Sequence, residues 1–385
     1  MQSMIARHLK SVIVSRLKSF PAVALFGARQ TGKTTLAKTL SSVYYDLEVE
    51  SEKLRLDLQW NEVIASKKLI ILDEAQNYPE IFPRVRNAID NERKRNGRFL
   101  ILGSISPGLM REVSEFLTGR IAICELGPLC YEEMEVGHTD DLWLMGGFPD
   151  GGILDKAKFP VWQQNYLDLL AMRDLPMWGL PAKPQMTKRF FKMLAISNGN
   201  MWNASLVGKS LGLTYHTVNS YLDYLEQAYL IRRLQPFFAN IKKRLVKSPK
   251  VFWRDSGLLH SLLGVREMDD LFVQPWVGGS WEGWVIEQIF VCLGIHDIDY
   301  EAYYFRTRDG YEVDLVLRLF GKLWAFEIKL SSAPDKRDLD RLTRTAEMIS
   351  ADRWVLISRT AESIKGPLGI STNLGGAVNA ILESK

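Results

Sequence analysis

The chain has 385 residues, 46% hydrophobic and 24% charged, the balance of an ordinary globular protein with room for two or three domains. A formal charge of +4 permits a polyanionic partner without demanding one. Three cysteines without a Cys-x-x-Cys pair argue against a disulfide framework or a zinc site. No apolar leader and no apolar run of about 18 residues marks a signal peptide or membrane span, so a reducing cytoplasm is the expected location and no membrane the expected partner.

Residues 1–20 place Ile5, Leu9, Ile13 and Leu17 on one helical face, and Pro21 ends that helix. The apolar run Ala22 to Phe26 reads as a buried strand, followed by a Gly-rich turn and a helix beginning TTLAKTL. Leu69 to Leu72 and Phe99 to Leu102 read as two more buried strands. Short apolar strands separated by helices predict a parallel sheet covered on both faces, hence an α/β core. GGFPD at 146–150 breaks the pattern, a helix follows at 160–175, and the three prolines of 176–184 read as a linker. Residues 186–232 read as all-helical. From about 279 the order is helix, three strands, helix, strand.

The turn after the first strand, Gly27-Ala-Arg-Gln-Thr-Gly32-Lys33-Thr34, fits G-x-x-x-x-G-K-[ST] between a strand and a helix. Its glycines let backbone N–H groups curl round phosphates. Lys33 is expected to reach the β- and γ-phosphates of ATP, Thr34 to place its hydroxyl on Mg²⁺, and Thr35 to complete the cradle. The strand of LIILDEAQ delivers Asp73 at its carboxyl end, suited to assist Mg²⁺ through its water shell, with Glu74 placed to orient or activate water. Ser104 ends the third strand in the position of a γ-phosphate sensor, or is only a turn residue. Arg120 is a candidate arginine finger, acting in this chain or in a neighbouring copy of a homo-oligomer, with Arg111 competing for the role.

The ordered set GARQTGKTTL (27–36), LDEAQ (72–76), GS (103–104), LTGR (117–120), ELGPLCYEE (125–133), GGFP (146–149), YLDLLAMRD (166–174), EVDLV (312–316) and FEIKLS (326–331) resembles a family of prokaryotic AAA-type P-loop ATPases related to the archaeal-type ATPases. Gly103 departs from the Thr expected before the sensor Ser. The resemblance implies an AAA-type ATPase core and no particular substrate. The domains expected are an ATPase core at 1–130, a helical linker or lid at 131–185, a winged-helix-like region at 186–265 and a nuclease-like domain at 266–385.

Residues 205–231 read as helix, Gly-containing turn, helix, with Thr214 as N-cap and Tyr215, His216 and Asn219 exposed. Arg232, Arg233, Lys242, Lys243, Arg244, Lys247 and Lys250 follow without an acidic residue. A hairpin wing so charged suits a DNA phosphate backbone, making DNA a candidate partner of the 205–250 region; a protein-packing role stays open.

The late element order is the core topology of PD-(D/E)xK nucleases. Asp314 falls on the second strand; Glu327 and Lys329 are two apart on the third, so the pleat points them to one face. Asp314 and Glu327 are expected to share Mg²⁺, Lys329 to position or deprotonate water, and Glu282 to complete the metal site. Asp255, in WRDSGLLHSLLG, is expected to cap a helix between the last two domains. Two functions compete: an ATP-driven enzyme that binds and cuts DNA, and a nucleotide-controlled switch or scaffold that binds DNA or a protein without cutting.

Overall fold

The computed structural model describes residues 5–103, 112–113, 115–135, 137–238 and 245–385. Its first sheet holds β1 (Ala22–Phe26), β2 (Ser42–Asp46), β3 (Leu69–Asp73), β4 (Phe99–Leu102) and β5 (Ile121–Glu125), all parallel, in the order β2-β3-β4-β1-β5. Every residue of β1 is buried. Ala22, Ala24 and Phe26 enter one core and Val23 and Leu25 the other, because successive side chains point to opposite faces. Helices α1 (Leu9–Ser19) and α2 (Lys33–Lys38) cover one face through Leu9, Val12, Ile13 and Leu36. Helices α3 (Glu50–Ala65) and α4 (Ile81–Asn91) cover the other through Leu56, Val63, Phe82 and Val85. This is the expected α/β core. The N-terminal helix starts only at Leu9; Ile5 lies before it and packs against a different core.

Helices α5 (Thr139–Met145) and α6 (Val161–Leu169) lead into α7 (Pro184–Ile196), α8 (Ala204–Leu211) and α9 (Tyr215–Gln227). Asn203 caps α8 by accepting from the Leu206 N–H at 3.0 Å, and Thr214 caps α9 by accepting from Thr217 at 3.1 Å. The proline-rich stretch at 176–184 is no loose linker. Leu180 is buried, and the Tyr221 hydroxyl donates to the Pro181 carbonyl at 3.1 Å.

An antiparallel hairpin, β6 (Ile231–Pro236) with β7 (Lys250–Trp253), follows α9. Then come α10 (Ser256–Leu262), α11 (Val277–Ile295), β8 (Glu301–Arg306), β9 (Glu312–Leu319), β10 (Lys322–Ile328), α12 (Lys336–Met348) and β11 (Arg353–Ile357). From α11 onward this is the order read from the sequence. Strands β12 (Ile364–Lys365) and β13 (Gly369–Thr372) and helix α13 (Leu374–Leu382) extend it. The second sheet runs β12-β13-β11-β10-β9-β8-β6-β7. Because β6 pairs in parallel with β8, the hairpin of the helical region is the edge of the C-terminal sheet.

Charged contacts bind these layers together. Glu287, on α11, accepts two hydrogen bonds from Arg232 at 2.7 and 3.0 Å and one from Arg254 at 2.6 Å. Arg254 also pairs with Glu125 at the end of β5. Burial alone would raise the Glu287 pKa, but Arg232 and Arg254 outweigh it and lower it to about 2. A depressed carboxyl stabilises the fold above its ordinary pKa of 4.5 and loses that contribution as pH falls toward the folded value. Glu287→Ala takes the carboxylate from Arg232 and leaves Arg254 with Glu125 alone, and is expected to cost about 3–5 kcal/mol in chemical denaturation. The difference between wild type and variant should shrink as pH drops from about 4.5 toward 2.

Candidate nucleotide site

The loop after β1 works because of two glycines. Gly27 has φ +152° and Gly32 φ +91°, and a Cβ on Gly27 would stand 2.2 Å from the Leu126 carbonyl oxygen. Any side chain there would push the loop off β5. Gly32 opens α2, whose first residue is Lys33. The Lys33 ammonium is buried and donates to the carbonyls of Gly27 at 3.0 Å and Ala28 at 2.8 Å, inside the curl that its own loop forms.

Asp73 ends β3, two strands from β1 across β4. The Thr34 hydroxyl donates to Asp73 Oδ2 at 2.6 Å, and the Tyr44 hydroxyl, from β2, donates to the same oxygen at 2.8 Å. The Glu74 N–H donates to Asp73 Oδ1 at 2.9 Å. Glu74 itself holds a left-handed backbone, φ +50°, and its carboxylate accepts from Gln76. Burial, with the neighbouring Asp73 charge, raises the Glu74 pKa, which moves the group toward the range of a working base. A cavity of about 890 Å³ opens over these groups, with Lys33, Thr34, Thr35 and Glu74 on its wall.

Five contributors escaped the sequence reading. Arg7 donates to the Thr31 carbonyl at 2.6 Å and to Glu133 at 3.0 Å, pinning the loop from before α1. Tyr44 orients Asp73. Arg29, inside the loop, pairs with Asp174 at 2.7 Å, and Arg173 beside it reaches the cavity wall. Only the stretch YLDLLAMRD signalled the last pair.

Other expected residues fall elsewhere. Arg120 precedes β5 at the opposite edge of the sheet and forms a two-point pair with Asp90 at 2.8 and 3.0 Å. Within one chain it does not reach the cavity, because the finger position needs the carboxyl edge. Ser104 and Arg111 lie outside the described residues. Asp255 does cap α10, accepting from Leu258 at 2.9 Å, and its other oxygen accepts from Gly147 at 2.8 Å, which ties down the GGFP loop. Burial pushes its carboxyl up to about 6.

The basic wing is smaller than it read. Arg232 is held by Glu287, Arg233 by Glu226 and Asp223, and Lys250 is buried among carboxylates. Lys247 is exposed, while Lys242, Lys243 and Arg244 lie outside the described residues. On α9, Tyr215 and His216 are exposed, but Asn219 accepts from the Trp202 indole at 2.8 Å.

In the C-terminal sheet, Asp314 and Glu327 are buried on neighbouring strands. Asp314 Oδ2 accepts from the Ile328 N–H at 2.8 Å, and Glu327 Oε1 pairs with Lys329 at 2.6 Å. Burial and the adjacent Asp314 push Glu327 up to about 8. Glu282 does not join them as a third ligand; it turns to Lys250 at 2.8 Å. Among the described residues no group of three or more His, Cys, Asp or Glu is placed to hold a metal ion.

A parallel sheet with a phosphate loop after β1 and an acidic pair after β3 defines a P-loop ATPase fold. Residues 19–135 match the family model described as an AAA domain, and residues 137–269 and 277–370 match two domains of unknown function, DUF8612 and DUF4143. The uncharacterized protein Rv2008c of Mycobacterium tuberculosis is 37% identical over 319 residues, 82% of this chain and 71% of that one, and its counterpart in Mycobacterium bovis matches equally. An uncharacterized Haemophilus influenzae protein is 23% identical over 303 residues, 69% of this chain and 75% of its own. The chain belongs to one family with these mycobacterial proteins, and its own residues 19–135 make it an AAA-domain P-loop ATPase by family. Among solved structures it is similar to a Walker-type ATPase of Pyrococcus abyssi (14% identity, 68% of this chain, 96% of that chain, TM-score 0.48). A second similar structure is AMPPCP-bound DnaA of Aquifex aeolicus (14%, 58%, 90%, TM-score 0.28). No helix among the described residues is long and apolar enough to cross a membrane.

Lys33 supplies a check on this geometry. Burial lowers its pKa from 10.5 to about 8, against the opposing pull of Glu74 and Asp73. Between those values the unfolded chain binds more protons, so stability rises with pH across that window. Denaturation of the nucleotide-free protein from pH 8 to 10.5 should show this increment, and Lys33→Met should abolish it.

Proposed function

We propose that the chain binds ATP with Mg²⁺ in this cavity and hydrolyses it. The observation that carries the reading is the Thr34–Asp73 hydrogen bond at 2.6 Å, beside a cavity lined by Lys33, Thr34 and Glu74. The backbone N–H groups of 27–34 would cradle the phosphates, and Lys33 would leave the Gly27 and Ala28 carbonyls for phosphate oxygens. The hydroxyl of Thr34 and the carboxylate of Asp73 are the oxygen donors that Mg²⁺ chemistry favours, and they already face each other. Bound there, Mg²⁺ would neutralise charge on the β- and γ-phosphates. Glu74 would take the proton of the attacking water, its raised pKa suiting that task. Apolar Ile5, Leu129, Pro149 and Leu154 line the same cavity and offer a wall for the base.

The partner reading rests on the three helices and hairpin of 184–253. We propose that DNA meets the exposed start of α9, at Tyr215 and His216, and the exposed Lys247. A non-cutting switch is favoured over cutting by one observation, the engagement of Glu282 with Lys250. Buried, unpaired Cys124, Cys130 and Cys292 fit a cytoplasmic setting.

Phosphate release and filter binding of labelled ATP test the core claim together. Lys33→Ala is expected to lose binding. Glu74→Gln is expected to keep binding and lose turnover by about 100-fold or more; normal turnover would remove Glu74 as the base. Arg120→Ala should lower turnover only where copies associate, since within one chain Arg120 is held by Asp90.

A further inference from the structure

Lys250 closes the hairpin as the first residue of β7, yet its side chain is only 3% exposed. Its ammonium lies 2.8 Å from Glu282 Oε1, 2.9 Å from Glu312 Oε1 and 3.8 Å from Asp314 Oδ1. These carboxylates arrive from two elements, α11 and the start of β9. Glu282 and Asp314 are two of the three carboxylates that the nuclease reading assigns to a metal.

The donor set does not fit a divalent cation. Such an ion needs several oxygens drawn to about 2.0–2.6 Å, and here an ammonium stands at hydrogen-bond distance from two of the candidates. Asp314 Oδ2 is taken by the Ile328 N–H and Glu327 Oε1 by Lys329. Glu327 Oε2 is buried without a hydrogen-bond partner, but one oxygen is not a chelate.

We infer that the Lys250 ammonium is the resident cation of this centre, a metal-free charge lock that fastens the hairpin to the C-terminal domain in place of a phosphodiester-cutting metal site. Burial opposes the charge on Lys250, but Glu282, Asp314 and Glu312 outweigh burial and keep it protonated. A cation carried on the chain is always present, so the junction needs no metal for its integrity. Its removal would strand carboxylates in a poorly solvated space, the costly way to break a buried pair. None of Lys250, Glu282, Glu312 and Asp314 lines the nucleotide cavity.

The test uses full-length, nucleotide-free protein and Mn²⁺ as the probe, followed by electron paramagnetic resonance, with plasmid nicking alongside. Wild type is expected to take up no Mn²⁺ that Asp314→Asn removes, and to nick no more than Lys329→Ala. Lys250→Met is expected to melt well below wild type, and Mn²⁺ to raise the melting temperature of that variant alone. Stoichiometric Mn²⁺ uptake by wild type that Asp314→Asn abolishes would overturn the inference. So would nicking that Lys329→Ala abolishes, or a Lys250→Met protein that melts like wild type. The wild-type titration decides the question even if Lys250→Met does not fold.

Discussion

The hydrogen bond from Thr34 to Asp73 joins residues 39 positions apart in sequence, and the architecture of the first domain serves to make it. β1 must deliver the loop and β3 the acid to the same edge, with β4 between them as spacer. Parallel strands achieve this, since all their carboxyl ends lie on one side. Helices on both faces follow, because a parallel sheet needs its crossovers covered and its strands dry. Gly27 adds the last constraint: its missing side chain lets the loop sit against Leu126 at the end of β5.

That contact places the site next to the rest of the chain. Leu126 follows Glu125, which pairs with Arg254, which shares Glu287 with Arg232. A second tie runs from Arg7 to Glu133, and a third from Arg29 to Asp174 in the helical region. Ion pairs therefore run from the end of β5, beside the loop, to α11.

Much of this was legible in the sequence. β1, β3 and β4 are central strands, so their apolar runs announced them; Gly27, Gly32, Lys33, Thr34, Asp73 and Glu74 followed from motif and context. β2 and β5 escaped as edge strands, each partly exposed and each short, with polar residues at both ends of β2 and Glu125 closing β5. Tyr44 escaped with β2. Arg7 carries no local signal, and although Arg29 and Asp174 lie in quoted stretches, nothing in either stretch says that they meet across 145 positions. Lys250 misled most: in sequence it closes a basic stretch, and only the fold brings Glu282, Glu312 and Asp314 around it. Charge counted along a chain says nothing of which charges meet.

The central claim concerns one triphosphate and the metal that accompanies it. Isothermal titration of the folded protein with ATP, in Mg²⁺ and again in excess chelator, tests it most directly. The account predicts saturable, one-to-one binding with Mg²⁺ and a much weaker response without it. A flat titration in both buffers would contradict the account.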